Sequence, residues 1–172
     1  MGAVAHEYQH VFDKENVHVF SSNFALYADF SNRIMTILKT ISPCVEVYSI
    51  DEAFIELPNN KSYISLAKEI KQIVEKYTGI PVSIGIGNTK TLAKCANYWA
   101  KKLNVDGVFS MEHPLAIDTA LKKIPINDVW GIGRKQAQKC NLLKIYSAYD
   151  FKTYKNEKKI CQLFTKVGGQ LK

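Results

Sequence analysis

Asp51 and Glu52 stand side by side inside a run that is otherwise apolar, β-branched and aromatic: Cys44–Leu57, CVEVYSIDEAFIEL. Val45, Val47, Tyr48 and Ile50 precede the pair, and Ala53, Phe54, Ile55 and Leu57 follow it. Each half has the length and composition of a strand. The stretch predicts two short antiparallel strands meeting at a tight connection that carries Ser49, Asp51 and Glu52. Two adjacent carboxylates beside apolar walls repel each other unless a cation joins them. Oxygen-only donors favour Mg²⁺ or Mn²⁺. The same pair at a hairpin tip would also serve as a plain solvated turn, and the stretch alone leaves both readings standing.

The flanking chain supplies a scaffold. Met1–Glu15 reads as a short helix with Tyr8, Val11 and Phe12 on one face, and Val17–Phe20 as a strand. Asn23–Ile41 is an amphipathic helix in which Tyr27, Phe30, Ile34, Ile37, Leu38 and Ile41 recur at three- and four-residue steps. Pro43 closes it. A second such helix, Lys61–Tyr77, carries Tyr63, Leu66, Ala67, Ile70, Ile73, Val74 and Tyr77 on its expected buried face, and Gly79 and Pro81 end it. Val82–Ile86 reads as a strand, and Gly87-Asn88 turns it into a third helix near Thr89. This order predicts an α+β fold, an antiparallel or mixed sheet with helices on one face, arranged like a split βαβ unit. After Phe109 the texture becomes helical and basic, with Phe151, Ile160, Leu163 and Phe164 as core candidates. A boundary near Ser110–Pro114 is expected, dividing the chain into units 1–110 and 111–172, the second small and all-α.

Charge is also unevenly spread along the chain. Residues 1–78 hold 7 Lys/Arg against 10 Asp/Glu, whereas residues 79–172 hold 16 against 6. The acidic half contains the carboxylate pair; the basic half suits a polyanion, with nucleic acid the leading candidate and a solvated lysine-rich surface the alternative. Cys44, Cys95, Cys140 and Cys161 lie far apart with no Cys-x-x-Cys pair, which argues against a zinc site or a disulfide framework and for buried free thiols in a reducing cytoplasm. No apolar run approaches the ~20 residues of a membrane span, and no signal-peptide pattern opens the chain. His6, His10, His18 and His113 pair with no nucleophile in the pattern, so no acyl-transfer triad is expected.

Two further stretches carry chemistry. Lys90, Lys94, Asn97 and Lys101 lie four, seven and eleven residues apart from the first, within one narrow stripe of a helix, opposite Leu92, Ala96, Trp99 and Ala100. Ammonium groups in a row suit a triphosphate or a nucleic-acid backbone, or a solvated face. The run Asp128-Val129-Trp130-Gly131-Ile132-Gly133-Arg134-Lys135 is more specific. Gly-Ile-Gly between short helices can converge backbone N–H groups on one phosphate beside a helix N-terminus. Arg134, Lys135 and Lys139 add charge. This is the pattern of a helix-hairpin-helix, which grips DNA through phosphates without reading its sequence. A dinucleotide-binding turn is excluded, since the glycines are not G-x-G-x-x-G and no strand–helix unit surrounds them.

Taken together, Tyr48–Leu57 (YSIDEAFIEL), Ser83–Asn97 (SIGIGNTKTLAKCAN), Trp99–Lys102 (WAKK), Asp128–Lys135 (DVWGIGRK) and Phe20–Met35 (FSSNFALYADFSNRIM) resemble the palm and thumb of Y-family, lesion-bypass DNA polymerases, closest to the UmuC-like branch. The likeness weakens after about Leu143. It implies a palm-type sheet over residues 1–110 and a helix-hairpin-helix thumb over 111–172, with two-metal nucleotidyl transfer as the chemistry. By the resemblance, Asp51 and Glu52 are the Mg²⁺ ligands and Ser49 lies beside the primer end. Lys101 contacts the incoming deoxynucleoside triphosphate, with Lys90 and Lys94 on its face. Gly131, Ile132, Gly133, Arg134, Lys135 and Lys139 hold primer–template DNA. It further implies a cytoplasmic role in SOS-type damage tolerance, in which accessory polymerase subunits can take part.

The chain also departs from the family. The family's opening strand with another metal-binding aspartate, the aromatic gate and the fingers are not found before Val17, and the little finger is not found after the thumb. Lys144 stands where this branch more often has a glycine. The expectation is a polymerase piece that is inactive alone and binds the metal pair weakly. An open sheet edge would invite self-association. The competing expectation is a non-catalytic module that binds DNA or a polymerase subunit. An unrelated α+β metal phosphohydrolase would leave the Gly-Ile-Gly unit unexplained.

Overall fold

The computed structural model describes residues 4–57, 62–102 and 106–164. The fold is α+β, as expected, and it is organised by two strand pairs rather than one sheet. Strands β1 (Val45–Val47) and β2 (Ala53–Ile55) form the expected antiparallel hairpin, with Val45 opposite Ile55 and Val47 opposite Ala53. Strands β3 (Ile84–Gly87) and β4 (Val108–Met111) run parallel, Ile84 opposite Val108 and Gly87 opposite Met111. β4 was not foreseen. Four residues without alternation give little strand signal, and its partner lies a whole helix upstream.

Helix ends follow local chemistry. After a short 3₁₀ turn (Ala5–Tyr8) comes α1 (Gln9–Lys14), then α2 (Phe24–Ile41), started by Asn23, whose side chain accepts the Leu26 N–H at 3.0 Å. Helix α3 (Tyr63–Thr78) begins at Ser62 and stops at Gly79, whose φ of +70° suits only glycine without strain. The expected start at Lys61 lies outside the described residues. Helix α4 (Lys90–Lys102) crosses from β3 to β4 and completes a βαβ unit. It rests directly on β3: a Cβ on Gly85 would lie 2.1 Å from the Asn97 nitrogen, and one on Gly87 2.7 Å from the Ala93 nitrogen. The two glycines let the helix lie on the strand.

Beyond β4 come α5 (Pro114–Leu121), a 3₁₀ turn (Ile126–Asp128), α6 (Arg134–Leu142), α7 (Ala148–Thr153) and α8 (Glu157–Leu163). The larger hydrophobic cluster runs from Cys95 and Ala96 on α4 through Met111, Ile124, Cys140 and Ile145 to Phe151, Ile160 and Phe164. A smaller one joins Ala67, Ile86 and Val108. The Leu163 side chain lies outside the described residues.

Three expectations fail. Val17–Phe20 forms no strand: Val19 is 61% and Phe20 86% exposed, and no described strand pairs with the segment. Tyr27 on α2 and Tyr77 on α3 are exposed, although helical spacing placed them on buried faces. On α2 only Met35 is fully buried; the helix packs mainly against α3 and β1. Two of the thiols, Cys44 and Cys161, are exposed, and the other two are buried.

Candidate functional site

The connection between β1 and β2 closes on Glu52, whose carbonyl accepts the N–H groups of both Tyr48 and Ser49 at 3.0 Å. This holds Asp51 at the tip, exposed, with its Oδ1 accepting the Ser49 hydroxyl at 2.6 Å. Ser49 thus orients Asp51. Glu52 is half-buried, and its Oε1 pairs with the Lys94 Nζ at 2.5 Å.

Lysines of the α4 stripe face the hairpin. Lys90 pairs with Glu46 on β1 and lies 5.5 Å from the centre of the Phe54 ring; Lys94 lies 5.5 Å from the Tyr48 ring. The Lys94–Glu52 side chains are 21% and 29% exposed, against 48% and 56% for Lys90–Glu46, so the former pair is the less screened by water. Asn97 turns partly inward, with its Oδ1 buried and unpartnered among the described residues. Lys101 is exposed, seven residues and so about 10 Å further along the axis than Lys94.

Hard oxygen donors that water can reach suit Mg²⁺, which binds through one or two carboxylates and keeps its remaining waters. Asp51 and Glu52 fit that preference, with Lys94 as the competing cation on Glu52. Among the described residues no group of three or more His, Cys, Asp or Glu side chains is placed to hold a metal ion. The thiols offer no alternative chemistry at the buried positions: burial pushes Cys95 up to about 11 and raises Cys140 as well.

The glycine hairpin follows the 3₁₀ turn. Gly131 has φ +85°, in the region that favours glycine, and Gly133 is the N-cap of α6 with no side chain capping the helix. The first turn of α6 therefore presents backbone N–H groups together with exposed Arg134 and Lys135. Lys139 is exposed further along the helix. Ile132 plays a different part from its neighbours. Its side chain is 3% exposed and its N–H donates to the Val129 carbonyl, so it anchors the hairpin to the core. At the far end of α6 the second turn closes with Lys144 at φ +60°, and the Ile145 N–H donates to the Cys140 carbonyl at 3.0 Å.

The two features meet through Tyr48 and Trp130, aromatic side chains to which the sequence assigns no contact with each other. The Trp130 indole N–H donates to the Tyr48 hydroxyl at 3.0 Å. The Trp130 ring centre lies 5.4 Å from that of Tyr48 and 5.6 Å from that of Phe54. Ser49, Asp51, Glu52, Lys90 and Lys94 therefore cluster at the hairpin, and Gly131–Lys135 begins one residue from the aromatic contact. No local pattern could have found this, because Tyr48 and Trp130 are 82 positions apart.

A model of the impB/mucB/samB family matches residues 3–98, and one of the IMS family HHH motif matches residues 116–145. The protein UmuC of Salmonella typhimurium is 45% identical over 144 residues, which cover 81% of this chain and 34% of that protein. DNA polymerase IV of Picrophilus torridus is 37% identical over 128 residues, covering 74% and 36%. Among solved structures, a DinB family error-prone DNA polymerase from Sulfolobus solfataricus superposes with a TM-score of 0.73 at 28% identity, covering 92% of this chain and 48% of that one. An insertion ternary complex of Dbh DNA polymerase superposes with a TM-score of 0.70 at 31% identity, covering 86% and 43%. The chain spans about a third of the length of the curated relatives it matches.

Proposed function

Since the chain belongs to the impB/mucB/samB family, within the Y-family of lesion-bypass DNA polymerases, we propose that it supplies the acidic hairpin and the phosphate-gripping hairpin of a DNA-directed DNA polymerase. The observation that carries this reading is the juxtaposition of the two hairpins through Trp130 and Tyr48. An acidic turn alone is common; an acidic turn held beside a helix-hairpin-helix puts a candidate metal site next to a candidate phosphate grip, which suits nucleotidyl transfer on DNA.

In this reading residues 1–110 are palm and 111–172 thumb. Asp51, steadied by Ser49, and Glu52 would hold Mg²⁺. When bound, such ions lower the pKa of a primer 3′-hydroxyl and steady the leaving pyrophosphate. Lys101 faces the triphosphate, with Lys90 and Lys94 on the same helix stripe. Lys94, paired with Glu52 in this structure, would compete with a cation for that carboxylate. Gly131, Gly133, Arg134, Lys135 and Lys139 hold primer–template phosphates through backbone N–H groups and charge, without reading bases. The setting would be cytoplasmic DNA repair, with accessory polymerase subunits as further partners. No helix among the described residues is long and apolar enough to cross a membrane.

We further propose that these 172 residues do not extend a primer by themselves. Two carboxylates, one already neutralised by Lys94, hold a metal pair weakly. The test is primer extension with Mg²⁺ on undamaged and abasic templates, beside an Asp51→Ala control and DNA binding at two salt concentrations. The expected outcome is no extension, with binding that weakens steeply as salt rises. Extension lost in the control would overturn the inactivity and retain the polymerase; absence of DNA binding at low salt would overturn the reading itself. Binding that is unchanged by Asp51→Ala and indifferent to a primer terminus would favour a non-catalytic DNA-binding module.

A further inference from the structure

Trp130 touches both arms of the acidic turn at once. Its indole N–H bonds to Tyr48, and its ring packs on Phe54. Tyr48 is tied to Glu52 through the backbone, its N–H donating to the Glu52 carbonyl at 3.0 Å. Phe54 follows Glu52 by two residues on β2. On its other side Trp130 is bonded directly to Gly131. The flanking Val129 and Ile132 are 5% and 3% exposed, so the hairpin is bolted to the helical core on either side of the indole. Lys94 completes the circuit, since its ammonium lies against the Tyr48 ring and pairs with Glu52. A cation held at Glu52 would compete with that ammonium, which lies over the ring whose hydroxyl accepts the Trp130 hydrogen bond.

We propose that Trp130 is a positioning residue that locks the acidic turn to the glycine hairpin, so that DNA held at the hairpin and a divalent cation held at Asp51 and Glu52 strengthen each other's binding. This rests on the assignment of DNA to the hairpin and a cation to the turn. Coupling of this kind is reciprocal: whatever factor the cation adds to DNA affinity, DNA adds to cation affinity. A plain packing role for the indole would predict something else, because phenylalanine would then fill the site and leave the coupling intact. The hydrogen bond makes the difference. Only an indole and a phenol together join the Trp130 edge to the turn through a directional contact.

The experiment measures binding of a fluorescently labelled primer–template by the whole chain. It is done with EDTA, with Ca²⁺ and with Mn²⁺, at constant ionic strength. The expected result is about fivefold tighter DNA binding with the divalent ion, an effect absent in Asp51→Asn. Tyr48→Phe and Trp130→Phe should each bring that factor below about twofold and leave affinity in EDTA within about twofold of the parent. The double variant should lose no more than either single one, as a shared contact requires. Tyr48→Phe removes one hydroxyl from a half-exposed ring and keeps the test decisive if Trp130→Phe folds poorly. A second readout is independent of DNA: in a Trp99→Phe chain the remaining indole emission should shift on adding Ca²⁺, and should not shift once Asp51→Asn is added. Retention of the full factor in Tyr48→Phe, or DNA binding by the parent with no divalent effect, overturns the proposal alone. Absence of DNA binding by the parent in EDTA overturns the underlying assignment as well.

Discussion

Two single residues carry costs and gains that their positions make measurable. Lys144 sits at φ +60° immediately after α6, where a glycine would close the turn without the clash between Cβ and backbone. Lys144→Gly should stabilise the chain by about 1 kcal/mol, seen as a higher urea midpoint with an unchanged slope. A lower midpoint would mean that the lysine side chain contributes more than its backbone costs. Asp150 behaves in the opposite way. Burial pushes its carboxyl up, but the N–H groups of Tyr146 and Ser147 and the Ser147 hydroxyl outweigh that and hold it below its ordinary 3.8. A carboxyl depressed in the folded state stabilises the fold above its unfolded pKa, and that contribution drains away as pH falls through the folded value. Asp150→Ala should therefore cost about 1 kcal/mol at pH 7, and the gap should narrow toward pH 3 in parallel melts. A gap that is constant with pH would show that the capping box with Ser147 contributes nothing through charge.

Between elements, the decisive contact is the seating of α4 on β3. Its closeness fixes where Lys90 and Lys94 emerge relative to the β1–β2 hairpin. Gly85→Ala places a methyl group 2.1 Å from one backbone atom of α4 and 2.2 Å from another, Asn97 N and Ala93 O, where no side chain can swing aside. The helix must lift. The expected loss is about 2–3 kcal/mol in denaturant melts, with weaker protection of α4 amides in hydrogen exchange. Unchanged protection would mean that α4 is not tightly seated on the strand. The spans of α2 and α3, the start of α4, the acidic hairpin and the glycine hairpin are legible in the sequence, because spacing, caps and turn residues act within a few positions. β4 was illegible, since a four-residue parallel strand draws its stability from β3 and α4 and advertises little in its own pattern.

For the molecule as a whole, apolar surface is distributed unevenly. Val17, Val19, Phe20, Phe24, Leu26 and Tyr27 are all exposed along one continuous segment. Contiguous exposed apolar side chains favour association. Sedimentation velocity of the isolated chain should show a weight-average mass that rises with concentration, and Phe20→Ser with Phe24→Ser should lower it. A single monomeric boundary at every concentration would show that this surface is too weak to pair. The joining of the two hairpins belongs to this scale too. The larger hydrophobic cluster takes in Cys95 and Ala96 of α4 together with α5 to α8, so the glycine hairpin is set on the same core that carries the lysine stripe.

By itself the amino-acid order determined the pieces: an acidic turn between two strands, a lysine stripe, a Gly-Ile-Gly hairpin with basic neighbours, and the family these motifs resemble. Each is written in contacts between residues a few positions apart, where periodicity and turn chemistry operate. Tertiary structure alone decided three other things. Lys90 and Lys94 pair with Glu46 and Glu52 across the β1–β2 hairpin, Ile132 anchors rather than reaches outward, and Trp130 bonds to Tyr48 across 82 positions. Such pairings depend on which surfaces α4 and the C-terminal helices bring together once the core has closed, and no local pattern carries that information.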